Sequence, residues 1–92
     1  MDEEKIIFYN ELRKIQDYAI GVSLSKRNEY KQIDEMLEDI TYDVIYRICE
    51  MIDGYRNDLI EYSLVNKRNG KVVNDGLALH DWCEAYLRCT DN

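Results

Sequence analysis

The sequence predicts an α+β fold that is mostly α, with two N-terminal helices, a β-hairpin and a C-terminal helix. Apolar residues recur at intervals of three and four over two long stretches of the first half of the chain. Beyond Gly54 the pattern changes to the two-residue alternation of a strand, followed by an Asn-Gly turn. A chain of 92 residues suits one small domain, residues 1–92, with little room for a buried catalytic pocket.

The first helix is predicted from Glu3 to about Ile20. We expect it to end at Gly21, because glycine accepts the left-handed conformation found just beyond many helices. A basic connector, Lys26-Arg27, then leads to the second helix. Candidate capping side chains in this connector are Ser23, Ser25 and Asn28.

The second helix is predicted to be long and amphipathic, with an apolar stripe that begins at Tyr30 and Ile33, and to end at Gly54. A continuous helix is favoured, and the alternative is a break near Asp39 to Thr41, where Thr41 offers a new cap. One half of its surface is apolar and is expected to face the core. That half consists of Ile33, Met36, Leu37, Ile40, Val44, Ile48, Met51 and Ile52.

The opposite face of this helix is acidic. From Asp34 to Asp53 there are seven acids and one base, Arg47, so this stretch carries −6 of the chain's net charge of −7. Six of the acids share one side of the helix with two tyrosines. We call this set the acidic face: Glu35, Glu38, Asp39, Tyr42, Asp43, Tyr46, Glu50 and Asp53.

The acidic face is the candidate binding site for a partner. Like charges four residues apart, such as Glu35 with Asp39, destabilise a helix by roughly 0.2–0.5 kcal/mol per pair, which folding alone does not require. Acids interspersed with tyrosines suit a docking surface for a basic protein. The alternative is a solvated face whose acids keep the protein soluble.

A hairpin is predicted after the second helix. Ile60, Tyr62 and Leu64 alternate with polar residues, as in a strand with one buried face. Asn69-Gly70 supplies the positive φ angles of a tight hairpin turn, and the partner strand is Lys71 to Val73.

The C-terminal helix is predicted in two alternative forms. It either follows a second turn directly, capped by Asp75, or begins near His80 after a short strand from Leu77 to Leu79. Trp82 is expected in the core, and with Tyr62 and Leu64 it would pack the hairpin and this helix against the second helix. The apolar face of the C-terminal helix is Leu79, Trp82, Cys83, Tyr86 and Leu87.

Charge and cysteine content indicate the compartment and the partners. A net charge of −7 argues against binding to nucleic acid or anionic membranes. Neither a leader nor a membrane-spanning stretch is recognised. Three cysteines without a disulfide or zinc spacing suit reduced thiols in the cytoplasm. A second alternative, weak nucleic-acid contact, would use the basic hairpin turn Lys67, Arg68 and Lys71.

The sequence favours a non-enzymatic protein without a cofactor or a metal. His80 is the single histidine, and a pair with Glu84 on a solvent-facing side of the helix explains it. Cys83 and Cys89 are six residues apart, which does not suit a tetrahedral metal site. Cys49 is expected to be a small packed hydrophobe.

Size, acidity and a cytoplasmic character make the chain resemble bacterial immunity proteins, antitoxins and phage-encoded inhibitors as a class, although no motif carries the likeness. The resemblance implies a small acidic module that occludes a basic partner. The alternative is a self-associating structural domain, a homodimer, because so short a chain leaves apolar surface uncovered.

Overall fold

A computed structural model of the chain describes residues 2–89 and has the mostly helical α+β fold that the sequence predicts. Helix α1 spans Glu3–Lys26 and helix α2 spans Ile33–Ile52. Strands β1 (Val65–Asn66) and β2 (Lys71–Val72) form an antiparallel hairpin. A 3-10 turn, Arg27–Glu29, joins the long helices. A 3-10 helix, Leu79–Trp82, continues into the short helix α3, Cys83–Tyr86.

Helix α1 begins at a side-chain cap and runs past the predicted end. The Asp2 carboxylate accepts a hydrogen bond from the backbone N–H of Lys5 at 3.0 Å, which satisfies a donor that the first turn leaves free. The predicted stop at Gly21 is wrong, because this glycine lacks a positive φ and the helix continues to Lys26. Ser23 donates to the carbonyl of Ala19 within the helix instead of capping the next one.

Helix α2 is continuous through Asp39 to Thr41, as favoured. The Thr41 hydroxyl donates to the Leu37 carbonyl at 2.6 Å, so it bonds within the helix and starts no new cap. Gly54, with φ of 86°, turns the chain just after Ile52.

The core lies where α1, α2 and the chain after Gly54 meet. Ile15, Met51 and Ile60 are almost fully buried, and Phe8 and Tyr62 pack against them. The helices are antiparallel, since residues early in α1 contact the chain just beyond α2. The apolar half of α2 is covered incompletely, contrary to expectation, because Ile33 and Leu37 stay exposed.

The predicted strand from Ile60 to Leu64 is extended chain and not part of the sheet. The Asn74 side chain takes the place of a ladder there: its Oδ1 accepts from the Leu64 N–H at 2.9 Å and its Nδ2 donates to the Tyr62 carbonyl at 2.7 Å. The Leu64 carbonyl still accepts from the Val73 N–H at 2.7 Å, and the paired residues of the sheet begin with Val65, opposite Val72.

The hairpin turn also differs from the predicted one. Gly70 has a positive φ of 74° but Asn69 does not, so the two-residue turn with two positive φ angles does not form. The Gly70 N–H instead bonds to the Asn66 carbonyl at 2.7 Å, which closes a four-residue loop.

The C-terminal helix is shorter than predicted and starts differently. Asp75 does not cap it; Ala78 precedes its first, 3-10 turn, without a side-chain cap. No strand forms over residues 77–79 of the described chain.

Two glycine substitutions test the turn after α2. Gly54→Ala is expected to lower the free energy of unfolding by about 1–3 kcal/mol, because alanine disfavours a positive φ and its Cβ would lie 3.0 Å from Glu61 Cβ. Urea unfolding monitored by circular dichroism measures the change.

The matched control is Gly21→Ala. It is expected to raise the same free energy by about 0.5–1 kcal/mol, because alanine is the better helix former and the site for its Cβ is open. Equal effects of the two substitutions would contradict the difference in backbone conformation.

Candidate functional site

The C-terminal segment, residues 79–86, packs across the tyrosines of the acidic face. Tyr42 and Tyr46 are half-buried, with ring centroids 6.1 Å apart and nearly parallel planes. The His80 ring meets Tyr46 edge-on at 5.5 Å. Burial raises the pKa of both tyrosines, and the nearby acids of this segment, Glu84 at Tyr42 and Asp81 at Tyr46, act in the same direction.

A buried contact between Asp53 and His80 fixes this segment. The Asp53 Oδ2 atom accepts from the His80 backbone N–H at 3.0 Å and lies 2.6 Å from His80 Nδ1. The two side chains are 4% and 7% exposed. Burial on its own raises the pKa of Asp53, but hydrogen bonds from the backbone of His80 and Leu79 and from the His80 ring outweigh it, so the pKa is lowered.

These positions correct two expectations. Asp53 is not on a solvent-facing docking surface, because it is the buried acceptor for the C-terminal segment. His80 is not paired with Glu84 in solvent, because its ring is inside the fold. An ionised carboxylate only accepts hydrogen bonds, so the Nδ1 atom of His80 carries the proton toward Asp53.

The contacts of His80 hold the C-terminal segment in place. Its second nitrogen, Nε2, lies 3.4 Å from Asp81 Oδ1, a carboxylate oxygen that accepts hydrogen bonds. Among residues 2–89, the structure contains no group of three or more His, Cys, Asp or Glu side chains suited to a metal ion.

Two free thiols meet beside this anchor. Cys83 is buried and Cys49 is half-buried. Burial, followed by the charge and hydrogen bonding of Cys83, raises the pKa of Cys49 to about 11. Its thiol is therefore neutral at physiological pH and weakly nucleophilic.

Most other acids of the acidic face have partners within the chain. Asp43 pairs with Arg47 at 3.1 Å, Glu50 with Arg56 at 3.9 Å, and Glu38 with Arg88 at 3.5 Å. Asp39 accepts from the Tyr30 hydroxyl at 3.0 Å, and that hydrogen bond is the main reason why the pKa of Tyr30 is raised. Glu35 is exposed.

A buried acid of α1 was missed by the sequence reasoning. Glu11 is 3% exposed, lies 3.5 Å from Arg56 and 3.6 Å from Lys14, and accepts from the Asn57 side chain at 3.3 Å. Its apolar neighbours at helical spacing were the available signal, since they place position 11 on the inner side of α1.

The structure exposes an aromatic surface that was also missed. Trp82 is 46% exposed and Tyr86 is 79% exposed, with ring centroids 6.2 Å apart. The expectation that Trp82 is core is wrong, because His80 occupies the inward position and turns Trp82 outward. Shallow depressions flank the indole on two sides. We call this surface the Trp82 ledge: Leu77, Asp81, Trp82, Glu84 and Tyr86.

The basic hairpin turn lies apart from these contacts, with Lys67, Arg68 and Lys71 all exposed. No family model, curated protein or solved structure matches the chain. Within residues 2–89, no helix combines the length and the apolar character needed to cross a membrane.

Asp53→Asn tests the anchor. We expect it to lower the free energy of unfolding by about 1–3 kcal/mol at neutral pH, because a neutral amide replaces the buried charged acceptor of His80. Fluorescence of Trp82, the single tryptophan, reports release of the segment during urea unfolding.

The control for this change is Asp81→Asn, which removes a carboxylate that also lies near His80 but is 69% exposed. It is expected to change the free energy of unfolding by less than about 0.5 kcal/mol. A loss as large as that of Asp53→Asn would contradict the special role of the buried contact.

Acid should weaken the anchor. The pKa of Asp53 is lowered from its ordinary value of 3.8, so its contribution to stability is present above 3.8 and is lost as the pH falls through the lower folded-state value. The difference in unfolding free energy between the wild type and Asp53→Asn should therefore shrink below pH 3.8. A difference independent of pH would contradict this assignment.

Proposed function

We propose that this protein is a non-enzymatic protein-binding module of the cytoplasm that occludes a basic partner protein through the Trp82 ledge. The observation that carries the proposal is the exposure of Trp82 and Tyr86 side by side in a segment that the buried contact between Asp53 and His80 holds in place. Folding alone gains nothing from leaving these rings in water.

The ledge has the composition of an interface centre. Tryptophan and tyrosine are enriched among residues that dominate binding energy, because each offers a large contact area and loses little conformational freedom. Leu77 is exposed beside them and lines both depressions next to Trp82. A partner side chain would pack into one of these depressions, against Leu77 and the indole.

Charge favours a basic partner. Asp81 and Glu84 border one depression, and the acids continue onto Glu38 and Glu35 of α2, with Arg88 lying at Glu38. Glu35 and Glu38 of the acidic face therefore belong to the proposed binding surface, and Asp53 does not. A net charge of −7 steers a cationic protein toward this side at low ionic strength.

Two observations support the non-enzymatic and cytoplasmic parts of the proposal. The Asp53 and His80 side chains are engaged as an anchor, and the thiols of Cys49 and Cys83 are free and packed together. Free thiols suit a reducing compartment. An inhibitor, an immunity protein or a phage anti-defence protein would act in this way, by covering a basic surface that its target uses.

The test is capture and titration of a partner. The immobilised protein is exposed to lysate of the source cell at low salt, and proteins released at high salt are identified. A purified basic candidate is then titrated while Trp82 fluorescence is recorded. Trp82→Ala, measured by calorimetry, should weaken binding by roughly 30-fold or more, which corresponds to about 2 kcal/mol.

Charge reversal supplies the matched control. Asp81→Lys with Glu84→Lys should slow association, whereas Asp58→Lys, an exposed reversal in the loop after α2, should have a smaller effect. Equal effects at both places, or retention of nucleic acid that depends on Lys67 and Arg68, would contradict the proposal.

A further inference from the structure

The chain exposes more surface than a folded monomer of its size. Its accessible surface is 7256 Å², whereas the scaling for folded monomers gives about 5,600 Å² at 11.0 kDa. Its radius of gyration is 15.1 Å, compared with roughly 12 Å for a compact chain of this length. The excess, on the order of 1,600 Å², points to a surface that is covered in the working state.

One exposed apolar region is a groove between α1 and α2. The groove has a volume of about 720 Å³, and its α2 wall is Ile40, Val44 and Ile48. On its α1 side, Tyr9, Ile20 and Leu24 are 56%, 52% and 63% exposed. Neither acid of the Trp82 ledge, Asp81 or Glu84, contributes to this lining.

The charge of α1 allows this helix to pack against α1 of a second copy. Residues 3–26 contain four acids and four bases, so this helix is neutral within a chain of net charge −7. Two copies therefore meet along α1 without net charge repulsion, whereas two acidic faces of α2 would repel each other.

The outer stripe of α1 is self-complementary when two copies run antiparallel. This stripe consists of exposed residues at intervals of three and four, the spacing of helices packed in pairs: Ile6, Tyr9, Arg13, Asp17, Ile20 and Leu24. With a two-fold axis at the height of Ile15, Ile6 lies level with Leu24 of the other copy. Arg13 lies level with the other copy's Asp17. A parallel pair would instead place Arg13 beside Arg13.

We infer that a second copy of this chain docks along the outer stripe of α1 and the adjoining groove between α1 and α2, with the two α1 helices antiparallel about a two-fold axis. The result is a bundle of four helices in which Arg13 of each protomer faces Asp17 of the other. Within one protomer these two side chains are 4.0 Å apart and are 80% and 67% exposed. They are therefore free to exchange partners at little cost.

The surface that a dimer would cover is compatible with the excess of the whole chain. A standard interface buries about 800 Å² per partner, which is less than that excess. The inference does not rest on the proposed function, because the groove and the Trp82 ledge use different residues. A dimer of this kind carries two ledges, so it would bind a multivalent partner with avidity.

Sedimentation equilibrium tests the inference. The wild type should have a mass of about 22 kDa, twice 11.0 kDa, at concentrations on the order of 100 μM. Ile20→Glu should raise the dimer dissociation constant by about 100-fold or more, because each dimer then buries two carboxylates. Circular dichroism should record unchanged helix content. The matched control, Leu59→Glu, alters an exposed leucine outside the groove and should leave the mass at that of the dimer.

Charge reversal tests the orientation. Arg13→Asp should weaken the dimer on the order of tenfold, because two symmetric contacts become repulsive. Adding Asp17→Arg should restore it. The inference is overturned by a wild-type mass of 11.0 kDa at every concentration, by a dimer that Ile20→Glu leaves intact, or by a double reversal that does not restore association.

Discussion

The buried contact between Asp53 and His80 determines how the second half of this molecule is arranged. Asp53 follows the last turn of α2, and it receives both the backbone N–H and the ring of His80. With His80 turned inward, the segment lies over Tyr42 and Tyr46 and Trp82 faces solvent. Tyr42 and Tyr46, which the sequence predicts on the solvent side of α2, are therefore covered by this segment. Trp82, which the sequence predicts in the core, is exposed.

The order and type of the elements were predictable because each has a local cause. The helical period of apolar residues, the Gly54 turn and the hairpin signal near Gly70 are all properties of short stretches. Boundaries failed where a longer-range contact competes. Helix α1 continues through Gly21 despite the low helix propensity of glycine. The predicted strand does not form at Leu64, whose backbone N–H donates to the Asn74 side chain.

The candidate site was less predictable, because its roles depend on contacts between distant residues. The acidic pattern of α2 was visible in the sequence, but two of the partners that neutralise it lie outside the helix: Arg56 in the loop just after α2, and Arg88 near the end of the described chain. Periodicity assigns a face to Asp53 but does not tell a solvated acid from a buried one. Only the position of His80, 27 residues away, distinguishes these states.

The core residues Ile15, Met51 and Ile60 all lie outside the C-terminal segment, which α2 retains through the Asp53 contact and the buried Cys83. Local opening of such a segment requires less free energy than global unfolding. A ligand of the Trp82 ledge binds only when the C-terminal segment is packed against α2, so its apparent affinity is lowered in proportion to the fraction of molecules in which the segment is packed. Binding in turn protects the segment from opening. The backbone amides of Cys83 and Leu87 would then exchange their hydrogens at a rate that reports ledge occupancy.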